Sequence, residues 1–201
     1  KFVRGGLQMT TIRDCIAPDR NPKVPSIKLP EGSIDTHVHI FESQYPLFEG
    51  RGYNPPDSTL DDLKHLHSQL GVSRVVYTQP SPYGVDNSAI LKGMKVMNDE
   101  TPGRARGVCA IKMDVSDDFL EDLDKQGIKG VRLNMDNIGG MPIGLDEIPT
   151  LEARIKDLGW HVEYLFPGKD IVELAPIFKK SSVPISICLL YTSPSPRDRP
   201  L

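Results

Sequence analysis

From Ser58 onward the chain repeats one pattern: a polar capping residue, a helical stretch apolar on one side, a stop, then a short apolar run. Ser58 heads a predicted helix with Leu60, Leu63, Leu66 and Leu70 on one face and Gly71 at its end, and Val72 to Gln79 follows as a strand. Asp86 heads a helix carrying Ile90, Met94 and Met97, before a strand from Arg106 to Ile111. Ser116 heads the next, with Asp117 and Asp118 in the first turn, where the helix dipole is positive. That helix is expected to turn Phe119, Leu120 and Leu123 inward and to stop at Gly127. Ile128 to Asn134 reads as a strand, Leu145 to Leu158 as a helix with Ile148, Leu151, Ile155 and Leu158 on one side, and Trp160 to Phe166 as a strand. Asp170 opens a helix with Ile171, Leu174 and Ile177 inward, kinked or restarted at Pro176, and Val183 to Ile187 begins another strand. One more strand, about Ile34 to Phe41, precedes the repeat.

Six strands alternating with five helices imply a parallel sheet with right-handed crossovers. Units of about 25–35 residues suit either a (β/α)8 barrel or a doubly wound sheet. A dinucleotide-binding doubly wound sheet carries GxGxxG after its first strand, and this chain has none. Polar residues gather instead at strand ends, where a barrel keeps its active site. The expectation is therefore α/β, a TIM barrel. A full barrel takes roughly 250 residues, so about six of its eight strands are expected within 31–187. Residues 1–30, rich in Pro and charge and without period, read as an arm, with Met9 as the natural start. Glu42 to Asp57 is a long loop with Pro46, Gly50, Gly52, Pro55 and Pro56, and long loops in compact domains tend to be functional.

A net charge of -3 over 201 residues, with no basic patch, points away from nucleic acid. No apolar run approaches the roughly 18 residues of a membrane span, and the start has no apolar leader, so no membrane partner is expected. Cys15, Cys109 and Cys188 lie far apart without CxxC spacing, which fits reduced thiols in a cytoplasmic protein.

The chemistry concentrates at strand ends. In Asp35-Thr-His-Val-His39 the two histidines are two apart on a strand and so share a face, with Asp35 one step behind. Such a pair can hold a metal ion, with ligand nitrogens about 2.0–2.1 Å from a zinc, or grip one substrate oxygen. It can equally be two polar residues on an open sheet face. Arg132 and Asn134 share a face near the end of their strand. An arginine aimed into a barrel mouth suits an anionic substrate, and one at the rim suits a salt bridge. Gln79 and Ser81 are expected at the mouth, held there by Pro80 and Pro82, and Asp86-Asn87 reads as a helix cap. His161 and Glu163 share a face. Inward, Glu163 becomes a ligand or an orienting carboxylate; outward, Trp160, Val162 and Tyr164 fill the interior instead. His65 and His67, two apart on a helix, point in different directions and read as solvent-facing or packing residues. Neither a GxSxG nucleophile nor a phosphate loop is present.

The ordered set Ile34-Asp-Thr-His-Val-His-Ile-Phe41, Gly71-Val-Ser-Arg-Val-Val-Tyr-Thr-Gln79, Gly84-Val-Asp-Asn87, Arg106-Gly-Val, Gly130-Val-Arg-Leu-Asn134 and Gly159-Trp-His-Val162 resembles the amidohydrolase superfamily. The likeness is to its 2-pyrone-4,6-dicarboxylate lactonase-like branch and runs from about Leu29 to Ile187. The resemblance implies a (β/α)8 barrel of the amidohydrolase type, here truncated after about six strands, that opens carboxylated lactones with water. The lactone would be of the 2-pyrone-4,6-dicarboxylate, sulfomuconolactone or sugar-acid type. It implies that His37 and His39 are catalytic, binding one divalent metal, zinc, or the substrate directly with no metal. It implies that Arg132 holds a substrate carboxylate, with Asn134, Gln79 and Ser81 nearby. A decarboxylase of the same superfamily and a non-catalytic ligand-binding barrel are the alternatives. The resemblance further implies an Asp-His pair on the sixth strand, a general-base aspartate on the eighth and a tyrosine near the end of the fifth. Tyr164-Leu-Phe166 does not align cleanly with that tyrosine.

Cys188-Leu-Leu-Tyr-Thr-Ser-Pro-Ser-Pro-Arg-Asp198 breaks the last strand in mid-pattern and matches the translated end of a transposon-based sequencing adapter. Residues 188–201 are accordingly expected to be an artefactual tail, and the chain itself an inactive fragment.

Overall fold

A computed structural model describes residues 12–135 and 142–188. Six strands form one sheet: β1 (Ile34–Val38), β2 (Arg74–Thr78), β3 (Ala105–Cys109), β4 (Ile128–Asn134), β5 (His161–Leu165) and β6 (Ile185–Ile187). Every adjacent pair is parallel, and the spatial order equals the chain order. The crossovers carry α1 (Leu60–Leu70), α2 (Ser88–Glu100), α3 (Asp117–Lys125), α4 (Ile148–Ile155) and α5 (Ile171–Phe178).

The helix starts differ by a residue or so from the expected ones, for local reasons. Thr59, not Ser58, caps α1: its hydroxyl accepts from the Asp62 N–H at 3.1 Å, while the Asp62 carboxylate accepts from the Thr59 N–H at 3.0 Å. The Ser58 backbone is taken up in an antiparallel bridge to Phe41. Asp86 does accept from the Ser88 N–H at 3.0 Å, but Asn87 stands at the cap position with its side chain turned inward. There Asn87 accepts from the Ala110 N–H at 3.0 Å and donates to the Ala110 carbonyl at 2.8 Å, clasping the end of β3 to the start of α2. Ser116 caps α3 as expected, but Phe119 is 43% exposed, because this nine-residue helix buries only the narrow stripe of Leu120 and Leu123. A 3-10 turn over Leu145–Glu147 leads into α4, where Pro149 occupies the first turn and its missing N–H costs nothing.

The core lies between the helices and one face of the sheet, with Tyr77, Met94, Leu151, Trp160, Val162 and Tyr164 fully buried. Packing there is close enough to dictate a glycine. A Cβ at Gly107 would stand 2.5 Å from the Met94 sulfur and 2.7 Å from Ile128 Cδ1.

The other face is concave. Strands lie about 4.8 Å apart, so β1 and β5, four steps apart, would stand about 19 Å apart in a flat sheet. Yet Nδ1 of His37, on β1, lies 3.6 Å from a carboxylate oxygen of Glu163, on β5. The sheet is therefore curled into a half-barrel, consistent with a TIM barrel cut short. The arm is not wholly irregular: Arg13–Asp14 pairs with Tyr53–Asn54 in the loop after β1. Among the described residues no helix is long and apolar enough to cross a membrane. The tail from Leu189 onward and the arm before Ile12 lie outside the described residues.

Candidate active site at the mouth of the half-barrel

β1 does not alternate cleanly. Asp35 pairs with Val75 and Val38 with Tyr77, so three steps on β1 match two on β2 and one residue bulges. The slip changes side-chain parity between Asp35 and the histidines, and Asp35 is not beside them as simple alternation predicts. Its carboxylate reaches to α1, 3.2 Å from Nε2 of His67. His67, only 1% exposed, packs in the interior and does not face solvent, whereas His65 does. After the bulge the period of two resumes. Val38 and Ile40 are buried in the core, and His37 and His39 turn to the mouth with ring centroids 4.9 Å apart.

Each ring has its own support. Nδ1 of His39 lies 2.8 Å from the Thr78 carbonyl. A carbonyl only accepts, so Nδ1 carries the proton and Nε2 keeps its lone pair. Burial, then the positive charges of Arg132 and His37, hold His39 far below its usual pKa, at about 3, hence neutral. His37 is the opposite case. Burial alone would lower its pKa, but contacts with Cys188 and Glu163 outweigh that and raise it to about 9. Nδ1 of His37 also lies 3.4 Å from the Thr78 hydroxyl.

Arg132 and Glu163 are register partners on β4 and β5, so they share a face, and both are almost fully buried. Arg132 Nε stands 3.5 Å from Glu163 Oε1, an ion pair without a hydrogen bond, and neither atom has a hydrogen-bond partner among the described residues. The guanidinium donates to the Gln79 carbonyl at 2.9 Å. Burial pushes the Glu163 carboxyl up, but His37 and then Arg132 more than reverse this, leaving it below its ordinary value and ionised.

Gln79 is fully buried, and its amide donates to the carbonyls of Gly84 at 3.0 Å and Asp86 at 2.8 Å, so it shapes the loop after β2. Ser81 begins the 3-10 turn Ser81–Tyr83, and Asn134 ends β4, half-buried. Of the two orientations open for β5, Glu163 faces the mouth. Val162 and Tyr164 face the helices, where the Tyr164 ring lies 4.9 Å from that of Phe178 and so away from the mouth. Thr78 escaped notice in the sequence, since a threonine at a strand end carries no signal of its own. Glu163 is legible as the cross-strand neighbour of Arg132 once the register is known.

His37, Glu163 and Cys188 bring one ligand atom each within 4.8 Å of one another, and His39 is not part of that group. Imidazole, carboxylate and thiolate are a donor set that suits a divalent ion such as zinc.

Residues 34–185 match the family model described as Amidohydrolase. The chain is 36% identical over 160 residues to a 2-pyrone-4,6-dicarboxylate hydrolase of Comamonas testosteroni, covering 79% of this chain and 51% of that protein. It is 27% identical over 179 residues to a 4-sulfomuconolactone hydrolase of Rhizobium radiobacter, covering 88% of this chain and 58% of that one. Among solved structures it superposes, with a TM-score of 0.67 and 28% identity, on a "probable 2-pyrone-4,6-dicarboxylic acid hydrolase" of Acinetobacter baumannii with citric acid bound. That match covers 77% of this chain and 57% of the other. The chain thus spans about half the length of the curated relatives it matches. With the family model covering most of the sheet and the mouth residues in place, the chain belongs to the amidohydrolase family.

Proposed function

We propose that this chain carries the carbonyl-polarising and carboxylate-holding part of a hydrolase that opens a carboxylated lactone. The substrate class is that of the 2-pyrone-4,6-dicarboxylate, sulfomuconolactone and sugar-acid lactones. The observation that carries this reading is a buried arginine, Arg132, at the mouth beside the His37–His39 pair, with a buried Nε that has no hydrogen-bond partner among the described residues. A buried guanidinium suits a carboxylate, which it can bind through two parallel hydrogen bonds. The names of the relatives and the citrate on the Acinetobacter structure support an anionic ligand.

In this reading Arg132 fixes the substrate carboxylate and so orients the lactone carbonyl. His37, paired with Glu163, donates to the carbonyl oxygen and stabilises the negative charge that develops as water adds. His39, neutral, offers Nε2 as an acceptor. Gln79 holds the loop under Arg132, and Ser81 and Asn134 line the approach. The general base implied by the resemblance, an aspartate of an eighth strand, lies outside the described residues. The site also suits a divalent ion. As an alternative to proton donation by His37, His37 and Glu163, the two cluster members inside the family match, would hold it, and it would supply Lewis-acid chemistry. The free thiols of Cys15 and Cys109 support a cytoplasmic setting.

The test is lactone opening, followed by ultraviolet absorbance, with the product of the re-sequenced source gene, with and without added zinc. His37→Ala and His39→Ala should each lower turnover of a dicarboxylate lactone at least about tenfold, a barrier rise of about 1.4 kcal/mol. Near-normal turnover in either folded variant refutes the assignment.

A further inference from the structure

We infer that Asp35 and His67 form a positioning pair that sets the bulge of β1 and thereby aims His37 into the mouth. Without the slip between Asp35 and Val38, Asp35 would share a face with His37 and His39 and bring a further carboxylate into the mouth. Instead its two oxygens work on the opposite side. Oδ2 lies 3.2 Å from Nε2 of His67, and Oδ1 accepts the His37 backbone N–H at 3.4 Å. His67 is a rigid anchor. It is 1% exposed in the last turn of α1, and its own carbonyl accepts from the N–H groups of Gly71 at 2.9 Å and Val72 at 3.0 Å. The His67 backbone is thus held at the point where the chain leaves α1 for β2, and burial confines its ring there. One carboxylate ties that corner to the backbone N–H of His37, one of the two residues lying between the shifted pairs. Bulges beside active sites commonly re-aim a side chain, and here the re-aimed residue is His37. The buried neighbours Val38 and Ile40 keep the rest of the strand in phase, so His39 does not depend on the pair in the same way.

The pair takes no part in the reaction. It acts on His37 through the backbone, and only the kinetic arm of its test rests on the lactonase reading. That test is carried out on protein labelled with 15N at histidine, with the ring signals of His37, His39 and His161 assigned. Asp35→Ala and His67→Phe, the latter keeping a buried ring without its nitrogen, should each move the His37 ring signals and leave those of His161 in place. The double variant should move them no further than either single one. Asp35→Asn, whose amide oxygen can still accept from the His37 N–H, should restore signals close to wild type. In the active enzyme each disruptive variant should lower kcat/KM about tenfold, the low end of what losing a supporting partner costs at such sites, and Asn should recover most of it. Unchanged His37 signals in a folded Asp35→Ala or His67→Phe protein overturn the inference, as does Asp35→Asn behaving like alanine. Should Asp35→Ala fail to fold, His67→Phe and Asp35→Asn decide by the same criteria. A wild-type enzyme that opens no lactone would count against the functional reading, while the ring signals would still judge this one.

Discussion

Replacing Glu163 with alanine should destabilise the protein by about 3–5 kcal/mol, the usual cost of removing one partner from a buried ion pair. The side chains of Glu163 and Arg132 are 6% and 4% exposed, with 3.5 Å between Oε1 and Nε. At that distance, with an effective dielectric near 20, the attraction is worth about 5 kcal/mol. Relieving the desolvation of the carboxylate returns part of this. It leaves Arg132 buried with the Gln79 carbonyl at 2.9 Å and the Cys188 sulfur at 3.6 Å, neither of which bears a balancing formal charge. Domains of this kind have about 5–15 kcal/mol in all, so the variant should be marginal. Glu163→Gln, which keeps the volume and a hydrogen-bonding oxygen, should lose only about 1–3 kcal/mol. The sole tryptophan, Trp160, is fully buried at the foot of β5, so its fluorescence during urea unfolding reports the loss directly. A Glu163→Leu/Arg132→Met double variant should recover most of it, because no charge is left stranded. An alanine variant within about 1 kcal/mol of wild type would refute the argument that this pair is a desolvated charge couple.

Other outcomes follow from the same geometry. Arg132→Lys should reduce kcat/KM for a dicarboxylate lactone about tenfold or more, because a planar fork becomes a point charge, and unchanged steady-state kinetics would exclude the role. Gly107→Ala should cost about 1–3 kcal/mol in urea melts through overpacking against Met94 and Ile128, and a neutral result would show that the Met94 side chain yields freely. Burial pushes the Asp124 carboxyl up, but Lys129 at 2.6 Å and the Trp160 indole at 2.7 Å outweigh it and hold it below its ordinary value. A depressed folded-state value means stability present above the unfolded value, about pH 4, and lost as pH falls through the folded one. Urea midpoints measured between pH 6 and 3 should therefore fall less steeply for Asp124→Asn than for wild type, and parallel curves would contradict this.

Much of the architecture was legible because it depends on short-range periods. Leu120 with Leu123, and Ile90 with Met94 and Met97, mark buried stripes whatever their partners are, and Gly71 marks a helix end. What escaped depends on pairing across the sheet. The bulge in β1 cannot be seen in Asp-Thr-His-Val-His, because alternation is assumed until a neighbouring strand contradicts it. For His67 the helical spacing leaves both a solvent-facing and a packing role open, and only the bulge, which turns Asp35 toward α1, shows that it packs and against what. The orientation of Glu163 was undecided because Trp160, Val162 and Tyr164 are apolar enough to fill either side of a sheet. It needed the β4–β5 register, which sets Glu163 opposite Arg132. Arg132 itself stood out, since a strand interior rarely tolerates a permanent charge without a reason.

The curl of the sheet also has a kinetic side. Each strand pairs with the one before it in the chain, so β1 through β6 can accrete one crossover at a time, through contacts of modest sequence separation. The contact between His37 and Glu163 is of another kind, because it closes only after the intervening strands have been laid down and bent. The mouth is then expected to be the last part of the sheet to acquire its final form as the chain folds. Interactions made there should be absent from the rate-limiting transition state, so changes at Glu163 should show up mainly in how fast the native state opens, and hardly in how fast it forms. The time for which the native mouth persists is thus set separately from the speed at which the sheet assembles.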